Sequence, residues 1–270
     1  MVNNQNNSAP LLQHGENYAF FFDVDGTLAA IQSRPDEVFI PKQVIANLQR
    51  LARLSGGAVA LVSGRPIHEL DALAAPLHFP LAGVHGAERR DASDQIERLS
   101  LPDDVAASLS ALLKEAMAKM PDTQLETKGM AFALHYRRAE HYQQAVMDLA
   151  QEMTARFPVL QLQPGKCVVE LKPKGVNKGA AIEAFMKQAP FAGRIPVFAG
   201  DDLTDEAGFK AVNAMDGISI KVGEGATAAN CRLPDVGGLY HWLEQLLLQR
   251  DQDEKTSLRS QVYESLSSRI

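Results

Sequence analysis

Cysteine is scarce in this chain of 270 residues, which contains only Cys167 and Cys231. Two cysteines without a Cys-x-x-Cys spacing are too few for a disulfide framework. Proteins that keep their thiols reduced are typical of the cytoplasm, so we expect this protein in a reducing cytoplasmic compartment.

Long hydrophobic runs are also missing, since no stretch approaches the roughly 18 apolar residues that a membrane-spanning helix needs. Residues 1–10 are rich in asparagine and combine neither a basic flank nor an apolar segment, so we expect no signal peptide there. The sequence therefore predicts no association with a membrane.

Positive charge is in deficit, with 27 Lys and Arg against 33 Asp and Glu, a net charge of −6 and a pI near 5.7. Because nucleic-acid backbones are bound by clustered Lys and Arg, we predict no nucleic-acid partner. An acidic protein that handles an anionic phosphate must concentrate positive charge locally, from a metal ion or a few placed cations. We expect a monomer that acts on a small molecule.

The most informative motif is a pair of carboxylates, Asp23 and Asp25, directly after the apolar segment 18–22. Such a segment is typical of a buried parallel strand, and Gly26 allows a sharp turn after it. Open α/β sheets place their active sites at the carboxyl ends of central strands. The pair could hold a hard cation through its oxygens, and one member could attack phosphorus.

Two alternatives would give the same pattern without catalysis. A calcium loop of the helix–loop–helix type needs a late glutamate, but Gln32 follows where that acid would stand, and the flank is strand-like. Asp and Gly also occur in ordinary turns for local reasons. The position after a buried strand favours a catalytic site over both.

The first hundred residues alternate between strand and helix patterns. Apolar segments at 58–62 and 80–84 follow helix patterns at 41–54 and 66–75. This alternation predicts an α/β fold with a doubly wound parallel sheet.

A different pattern then interrupts the alternation. Helix patterns at 102–120 and 139–157 are each followed by two strands, at 123–128 and 130–136 and then at 159–163 and 167–171, with a hairpin turn at Pro164-Gly165. Helix–strand–strand, repeated once, predicts an inserted α+β domain with antiparallel strand pairs, in the order αββαββ.

The parallel pattern resumes with helices at 178–188, 208–213 and 239–248 and strands at 195–199 and 217–222. We therefore predict a discontinuous core domain, residues 1–99 and 174–270, and an inserted domain, residues 100–173. Residues 249–270 form a polar, serine-rich tail that we expect to be frayed or partly helical.

Four polar clusters stand at the ends of predicted core strands or helices: Asp23 with Asp25, Ser63-Gly64-Arg65, Lys178, and Asp201 with Asp202 and Asp205. Each cluster alone is weak evidence for a catalytic site, since Ser-Gly-Arg is a common turn and Gly-Asp-Asp could simply cap a helix. A lysine at a helix start opposes the macrodipole, which indicates a role for Lys178. At one sheet edge the acids would hold Mg²⁺, and Ser63 and Lys178 would bind phosphate oxygens.

This set of motifs, in this order, resembles the haloacid dehalogenase superfamily of phosphohydrolases, and the inserted domain resembles the superfamily's C2B cap. The resemblance implies that Asp23 is the nucleophile and that Asp25 is the general acid and then the general base. It also implies that Asp23, the Asp25 backbone carbonyl and Asp201 bind Mg²⁺, with Asp205 in support and Asp202 undecided. By the family pattern, Asp25 disfavours a dehalogenase.

Longer segments resemble the trehalose-6-phosphate phosphatase family more specifically. They are residues 83–89, 126–129, 132–137, 169–173, 175–179 and 200–206. The resemblance implies a phosphatase that forms an aspartyl-phosphate and releases trehalose and phosphate. It places Lys128 and Glu170 of the cap at the sugar hydroxyls, and His85, Gly86, Arg65 and Lys174 near the phosphate or its sugar.

The residues themselves leave alternatives open. Lys128 could be a solvated strand residue, His135 a structural one, and Glu170 could face either the substrate or bulk water. Other C2B enzymes act on sucrose phosphate or mannosyl-phosphoglycerate, and a phosphomannomutase is a further alternative, although only Arg137-Arg138 could serve its second phosphate. A catalytically silent sugar-phosphate-binding module is the non-enzyme alternative, which the set of Asp23, Asp25, Lys178 and Asp201 argues against.

Overall fold

A computed structural model describes residues 10–267 of the chain, except for residues 11, 14, 33, 129 and 166. The chain divides into two units, one of Met1–Glu97 with Asn177–Ile270 and one of Arg98–Val176. The predicted insert, residues 100–173, lies within the second unit. None of the helices that the structure describes combines the length and hydrophobicity that a membrane span requires.

Strands and helices alternate along most of the chain. The strands are β1 (Tyr18–Phe22), β2 (Val59–Val62), β3 (Leu81–Gly83), β4 (Glu88–Arg90), β5 (Ile96–Arg98), β6 (Gln124–Lys128), β7 (Ala131–His135), β8 (Leu160–Gly165), β9 (Val168–Pro173), β10 (Ile195–Gly200), β11 (Ile218–Val222) and β12 (Cys231–Leu233). The helices are α1 (Lys42–Leu54), α2 (Ile67–Ala74), α3 (Asp103–Met117), α4 (Gln143–Arg156), α5 (Lys178–Phe185), α6 (Glu206–Ala214) and α7 (Val236–Ser267).

The first unit is built on a sheet with the strand order β12-β11-β10-β1-β2-β3-β4-β5. All neighbours from β12 to β3 are parallel, and β4 runs antiparallel to β3. This sheet and its solved structural neighbours, described below, confirm the predicted α/β class. Because the chain winds outward from β1 in both directions, the switch point of the topology lies beside β1, where such sheets bind their ligands.

Strand β1 is apolar throughout because both of its faces are covered. Phe20 and Phe22 pack in a core that includes Leu48 of α1 and Leu243 of α7. Phe21 points to the other face and packs in a second core with Phe185 of α5. Burial on both faces fixes the strand firmly and therefore fixes the carboxylates that follow it.

The second unit has an antiparallel sheet with the order β6-β7-β9-β8. One face of this sheet packs against α3 and α4, through Phe132 and Leu171 of the sheet and Leu113 and Val146 of the helices. Strand residues alternate between the faces, so the residues next to these in sequence lie on the opposite face.

Several predicted elements differ from the structure. Pro164 and Gly165 were predicted to form a turn but belong to β8, and the chain reverses after them, where Cys167 has a φ of 60°. Helix α7 was predicted to end at residue 248 but continues to Ser267, so the predicted tail is helical as far as that residue. Strands β4, β5 and β12, of three residues each, were not predicted.

Candidate active site

Asp23, Lys178 and Asp205 meet at the carboxyl end of the first unit's sheet. Asp23 follows β1, Lys178 begins α5, and Asp205 ends a short 3-10 helix, Leu203–Asp205, that follows β10. The Lys178 Nζ donates hydrogen bonds to Asp23 Oδ1 at 2.8 Å and to Asp205 Oδ1 at 2.7 Å. All three side chains are buried, so these contacts are shielded from water.

Asp205 and Asp202, which follow β10, accept hydrogen bonds from different groups. Asp205 Oδ2 accepts hydrogen bonds from the backbone N–H groups of Asp201, at 2.9 Å, and Asp202, at 3.0 Å. Asp202 Oδ1 accepts from the backbone N–H and the hydroxyl of Thr204 and so caps the 3-10 helix. The carboxylate of Asp202 is therefore engaged as a cap, the alternative that the sequence left open for it.

The predicted metal ligands are only partly brought together. Asp23, Asp201 and Asp205 each offer a carboxylate oxygen, and these oxygens lie within 4.8 Å of one another. Mg²⁺ prefers oxygen ligands of this kind, so the donor set fits the ion. Asp202 and the carboxylate of Asp25 do not belong to this group among the described residues.

Gly26 makes room for one of these carboxylates. It has a φ of 82°, and a Cβ built on it would lie 2.1 Å from Asp201 Oδ2. Only a residue without a side chain leaves the space that Asp201 occupies. The glycine of the Asp23-to-Thr27 motif thus serves the acids of a distant strand.

Burial and mutual repulsion raise the pKa values of the clustered acids in the absence of a metal. Burial raises the pKa of Asp23 to about 6, and the negative charge of Asp201 contributes to this rise. Burial likewise raises the pKa of Asp201 to about 6, and the negative charge of Asp205 contributes to it. Burial also raises the pKa of Asp205 to about 7. Such raised values indicate a site that favours a cation, because a bound cation would relieve the repulsion.

The pKa values of Lys178 and Asp202 shift in the direction opposite to the effect of burial. Burial alone would lower the pKa of Lys178, but the charges of Asp23 and Asp205 raise it above its ordinary value. Burial alone would raise the pKa of Asp202, but the hydrogen bonds from Thr204 lower it. Lys178 is therefore a permanent cation at the site.

Asp25 is turned toward Arg65. Arg65 Nε and Nη2 donate to the two carboxylate oxygens of Asp25, each at 2.7 Å, and Arg65 Nη1 donates to Glu69 Oε2 at 3.1 Å. The hydrogen bonds to Asp25 raise the pKa of Arg65 further. The Arg65–Asp25 contact is the bidentate geometry that guanidinium and carboxylate groups form best.

The Ser63-Gly64-Arg65 segment is held by the turn Val84–Gly86. The backbone N–H of Val84 donates to the Arg65 carbonyl at 3.0 Å, and that of His85 donates to the Ser63 carbonyl at 2.9 Å. The imidazole of His85 lies so close to Gly64 that a Cβ there would be 2.6 Å from its Cε1. The predicted residues Ser63, Gly64, Arg65, His85 and Gly86 thus form one packed loop pair.

Two residues of the site were not predicted from the sequence. Glu69 pairs with Arg65 from the first turn of α2, and buried Lys221 of β11 donates from Nζ to the Asp201 carbonyl. A lysine in a mostly apolar core strand was the available signal for Lys221. The spacing of four residues between Arg65 and Glu69 was the available signal for Glu69.

The remaining predicted residues lie in the second unit. Glu170 stands opposite Ala133 and Gln163, on the sheet face that points away from α3 and α4. Lys172, on the same face, donates from Nζ to Gln163 Oε1, and its burial lowers its pKa. Lys128 ends β6, and Lys174 is exposed just after β9. This face therefore carries an acid, an amide and a lysine: Glu170, Gln163 and Lys172.

Comparison with solved structures relates the fold to known enzymes. A trehalose-6-phosphate phosphatase from Aspergillus fumigatus has a TM-score of 0.72 and 25% identity, over 87% of this chain and 93% of that chain. A haloacid dehalogenase-like hydrolase from Bacteroides thetaiotaomicron has a TM-score of 0.64 and 15% identity, over 86% of this chain and 100% of that chain. The second likeness shows the fold alone.

Comparison of sequences narrows the family. The chain is 53% identical to the trehalose-6-phosphate phosphatase of Escherichia coli strain K12 over 253 residues. These residues make up 94% of this chain and 95% of that protein. The family model described as trehalose-phosphatase matches residues 21–236, which include Asp23, Lys178 and Asp205. This chain therefore belongs to the trehalose-phosphatase family.

Proposed function

We propose that this protein is a Mg²⁺-dependent phosphatase that hydrolyses trehalose 6-phosphate to trehalose and phosphate. The observation that carries the proposal is the buried group of Asp23, Asp201 and Asp205, with Lys178 in contact with Asp23 and Asp205. A nucleophile, a cation and a metal-binding donor set at one sheet edge suit phosphoryl transfer. The 53% identity to a trehalose-6-phosphate phosphatase supports the substrate.

The residues support a reaction in two steps. In the first step an Asp23 carboxylate oxygen bonds to phosphorus, the bond from phosphorus to the sugar oxygen breaks, and that oxygen takes a proton from Asp25. In the second step water attacks the phosphorus of the aspartyl-phosphate, gives its proton to Asp25, and the Asp23–phosphorus bond breaks. Asp25 moves the proton and Asp23 carries the phosphoryl group, so the two acids have separate roles.

Lys178 holds Asp23 in place for this attack. Its ammonium group fixes Asp23 Oδ1, and the Thr27 hydroxyl lies 3.4 Å from Asp23 Oδ2. The positive charge of Lys178 also favours the approach of the dianionic ester. We propose that Ser63, whose hydroxyl lies beside the Arg65 N–H, supplies a further donor to the phosphate.

Asp23, Asp201 and Asp205 would hold Mg²⁺, together with the backbone carbonyl of Asp25. When bound, the ion supplies neutralising charge to the phosphate oxygens. We leave Asp202 out of the ligand set, because it does not belong to the group of Asp23, Asp201 and Asp205, whose carboxylate oxygens lie within 4.8 Å of one another.

We propose that residues of the second unit recognise the sugar. Glu170, Lys128 and Lys174 are assigned to the hydroxyl groups of the disaccharide, with His85 and Gly86 near its phosphate. A disaccharide presents many hydroxyls, so a sheet face with Glu170, Gln163 and Lys172 suits it better than an apolar face would. We also propose that the protein is a cytoplasmic monomer, and light scattering after size-exclusion chromatography tests the monomer.

Phosphate release from a panel of sugar phosphates tests the proposal. We expect the highest kcat/KM for trehalose 6-phosphate, no turnover after EDTA treatment, recovery with Mg²⁺, and no turnover by Asp23→Asn. Preference for sucrose phosphate or mannosyl-phosphoglycerate would refute the substrate, and bisphosphate-dependent isomerisation of a hexose phosphate would indicate a mutase. Binding without turnover of any phosphate monoester would indicate a silent module.

A further inference from the structure

All three nitrogens of the Arg65 guanidinium group donate to carboxylates. Its Nε and Nη2 donate to Asp25 at 2.7 Å, and its Nη1 donates to Glu69 at 3.1 Å. The side chain is only 13% exposed. Each guanidinium nitrogen thus already faces a carboxylate oxygen, which suits a residue that orients another side chain rather than one that awaits a phosphate.

The backbone of Arg65 is anchored on both sides. Its N–H donates to Ser63 Oγ at 3.2 Å, and its carbonyl accepts from the N–H of Val84 at 3.0 Å. Val84 has a φ of 48°, a conformation that is unfavourable for a β-branched residue. Such strain persists only where the surrounding contacts impose it, so the Val84 turn is a rigid support for Arg65.

Asp25 depends on an external partner for its orientation. Its side chain is 37% exposed, so packing alone does not select one rotamer. A group that transfers a proton must lie within hydrogen-bond reach of the reacting oxygen. A bidentate contact fixes the plane of a carboxylate as well as its position.

We propose that Arg65 is a positioning residue that acts on the reaction through Asp25, in place of the phosphate or sugar contact that the family resemblance implies. The inference rests on the proposed function, in which the leaving sugar oxygen takes the proton of Asp25 as its bond to phosphorus breaks. Arg65 sets the position and the plane of the Asp25 carboxyl group for that transfer.

The leaving group separates this role from phosphate binding. A sugar alkoxide is a poor leaving group and needs the proton of Asp25, whereas 4-nitrophenolate leaves readily without one. A residue that acts through Asp25 therefore matters for the sugar ester and little for the aryl ester in the first step. A residue that binds phosphate matters equally for both.

Steady-state kinetics of Arg65→Ala on the sugar ester and burst kinetics on 4-nitrophenyl phosphate test the proposal. We expect kcat for trehalose 6-phosphate to fall by about 100-fold, in the range of a lost general acid. We expect the rate of aspartyl-phosphate formation from 4-nitrophenyl phosphate, measured as the nitrophenolate burst, to change by less than about threefold. Arg65→Lys should be intermediate for the sugar ester, because an ammonium group cannot form the planar fork.

A double-mutant cycle with Asp25→Asn locates the effect. If Arg65 works through Asp25, adding Arg65→Ala to Asp25→Asn should lower turnover of trehalose 6-phosphate by less than a further factor of about three. Arg34→Ala is the matched control, since Arg34 makes a similar bidentate contact with Asp36 at an exposed site. That variant should turn over both esters at the wild-type rate.

Three results would overturn the proposal: equal losses on the two esters, unchanged turnover of trehalose 6-phosphate by Arg65→Ala, or fully additive losses in the cycle. If Arg65→Ala does not fold, the same comparison with Arg65→Lys decides. If the wild type hydrolyses another sugar phosphate from the panel instead of trehalose 6-phosphate, the proposed substrate fails. The Arg65 comparison is then made with that ester, so the two failures are distinguishable.

Discussion

Lys178 and Asp23 form a buried ion pair, with the Lys178 ammonium 2.8 Å from Asp23 Oδ1 and both side chains at most 5% exposed. The same ammonium group also contacts Asp205, so one cation serves two acids from different strand ends. Removal of one member of a buried pair leaves the other charges without compensation. This contact therefore links the stability of the site to its chemistry.

We expect Lys178→Met to lower the free energy of unfolding of the metal-free protein by about 3–5 kcal/mol, the cost of leaving buried charges unpaired. We expect kcat to fall by about 10²–10³-fold, because the cation beside the nucleophile is lost. Denaturant unfolding and phosphate-release assays measure the two effects. Lys210→Met, at an exposed position of α6, is the control and should change neither. A fully stable and active Lys178→Met would contradict the assignment.

Gly26→Ala should weaken metal binding by displacing Asp201. The new Cβ would lie 2.1 Å from Asp201 Oδ2, so the carboxylate must move away from Asp23 and Asp205. We expect the Mg²⁺ concentration for half-maximal activity to rise by about tenfold or more, which corresponds to about 1.4 kcal/mol of lost binding.

Gly223→Ala separates this clash from backbone strain. Gly223 has the same φ of 82°, but nothing lies within 4 Å of the position of its Cβ. Both variants should lose stability because of the positive φ, Gly26→Ala more because of the added clash, and only Gly26→Ala should require more Mg²⁺. An equal Mg²⁺ requirement in both would show that Asp201 is not displaced from a metal site.

The parts of the fold that repeat a local pattern could be predicted from the sequence. The run 18–22 is apolar because both faces of β1 are covered, and the carboxylates after it mark the functional edge of the sheet. The turn after β8 was misplaced because Pro164-Gly165 is a typical turn pair, whereas the pairing with β9 extends through Gly165. Ladder hydrogen bonds overrode the local preference.

The site was predictable as a set of residues but not as a set of contacts. The bidentate contact between Arg65 and Asp25 joins positions 40 residues apart, and the hydrogen bond from Lys178 to Asp23 joins positions 155 apart. Asp201 and Asp202 are identical neighbours in sequence, and only the structure separates the one near Asp23 from the one that caps a helix. Such distinctions arise from tertiary packing, which local patterns do not encode.

Asp201→Asn should change how the stability of the metal-free protein depends on pH. Burial and the neighbouring acids raise the pKa of Asp201 to about 6, above its ordinary value of 3.8. Between pH 3.8 and about 6 the folded state therefore binds more protons than the unfolded state, and stability is lost as the pH rises through this range. The asparagine side chain stays neutral at every pH, so it does not take on the charge that destabilises the wild type. In EDTA the Tm of the variant at pH 7.5 should therefore exceed that of the wild type by about 2–4 °C.

The difference in Tm should shrink toward pH 4, where the wild-type carboxyl group is protonated as well. Asp216→Asn, at an exposed position with a φ of 54° that asparagine tolerates, is the control and should leave the Tm unchanged. With Mg²⁺ added, only the wild type and the control should be stabilised. A metal-free Asp201→Asn that is less stable than the wild type at pH 7.5 would contradict the repulsion between the acids.

Glu170→Gln should weaken sugar recognition without affecting the chemistry of the first unit. Glu170 lies on the polar face of the second unit's sheet, opposite Gln163, and hydrogen bonds to a charged acceptor contribute about 1.5–3 kcal/mol. We expect KM for trehalose 6-phosphate to rise by about tenfold or more, with kcat/KM for 4-nitrophenyl phosphate unchanged, because that ester has no sugar. Glu115→Gln, at an exposed position of α3 in the same unit, is the control and should match the wild type on both esters. Parallel losses on the two esters would show that Glu170 supports the fold of its unit instead of binding the sugar.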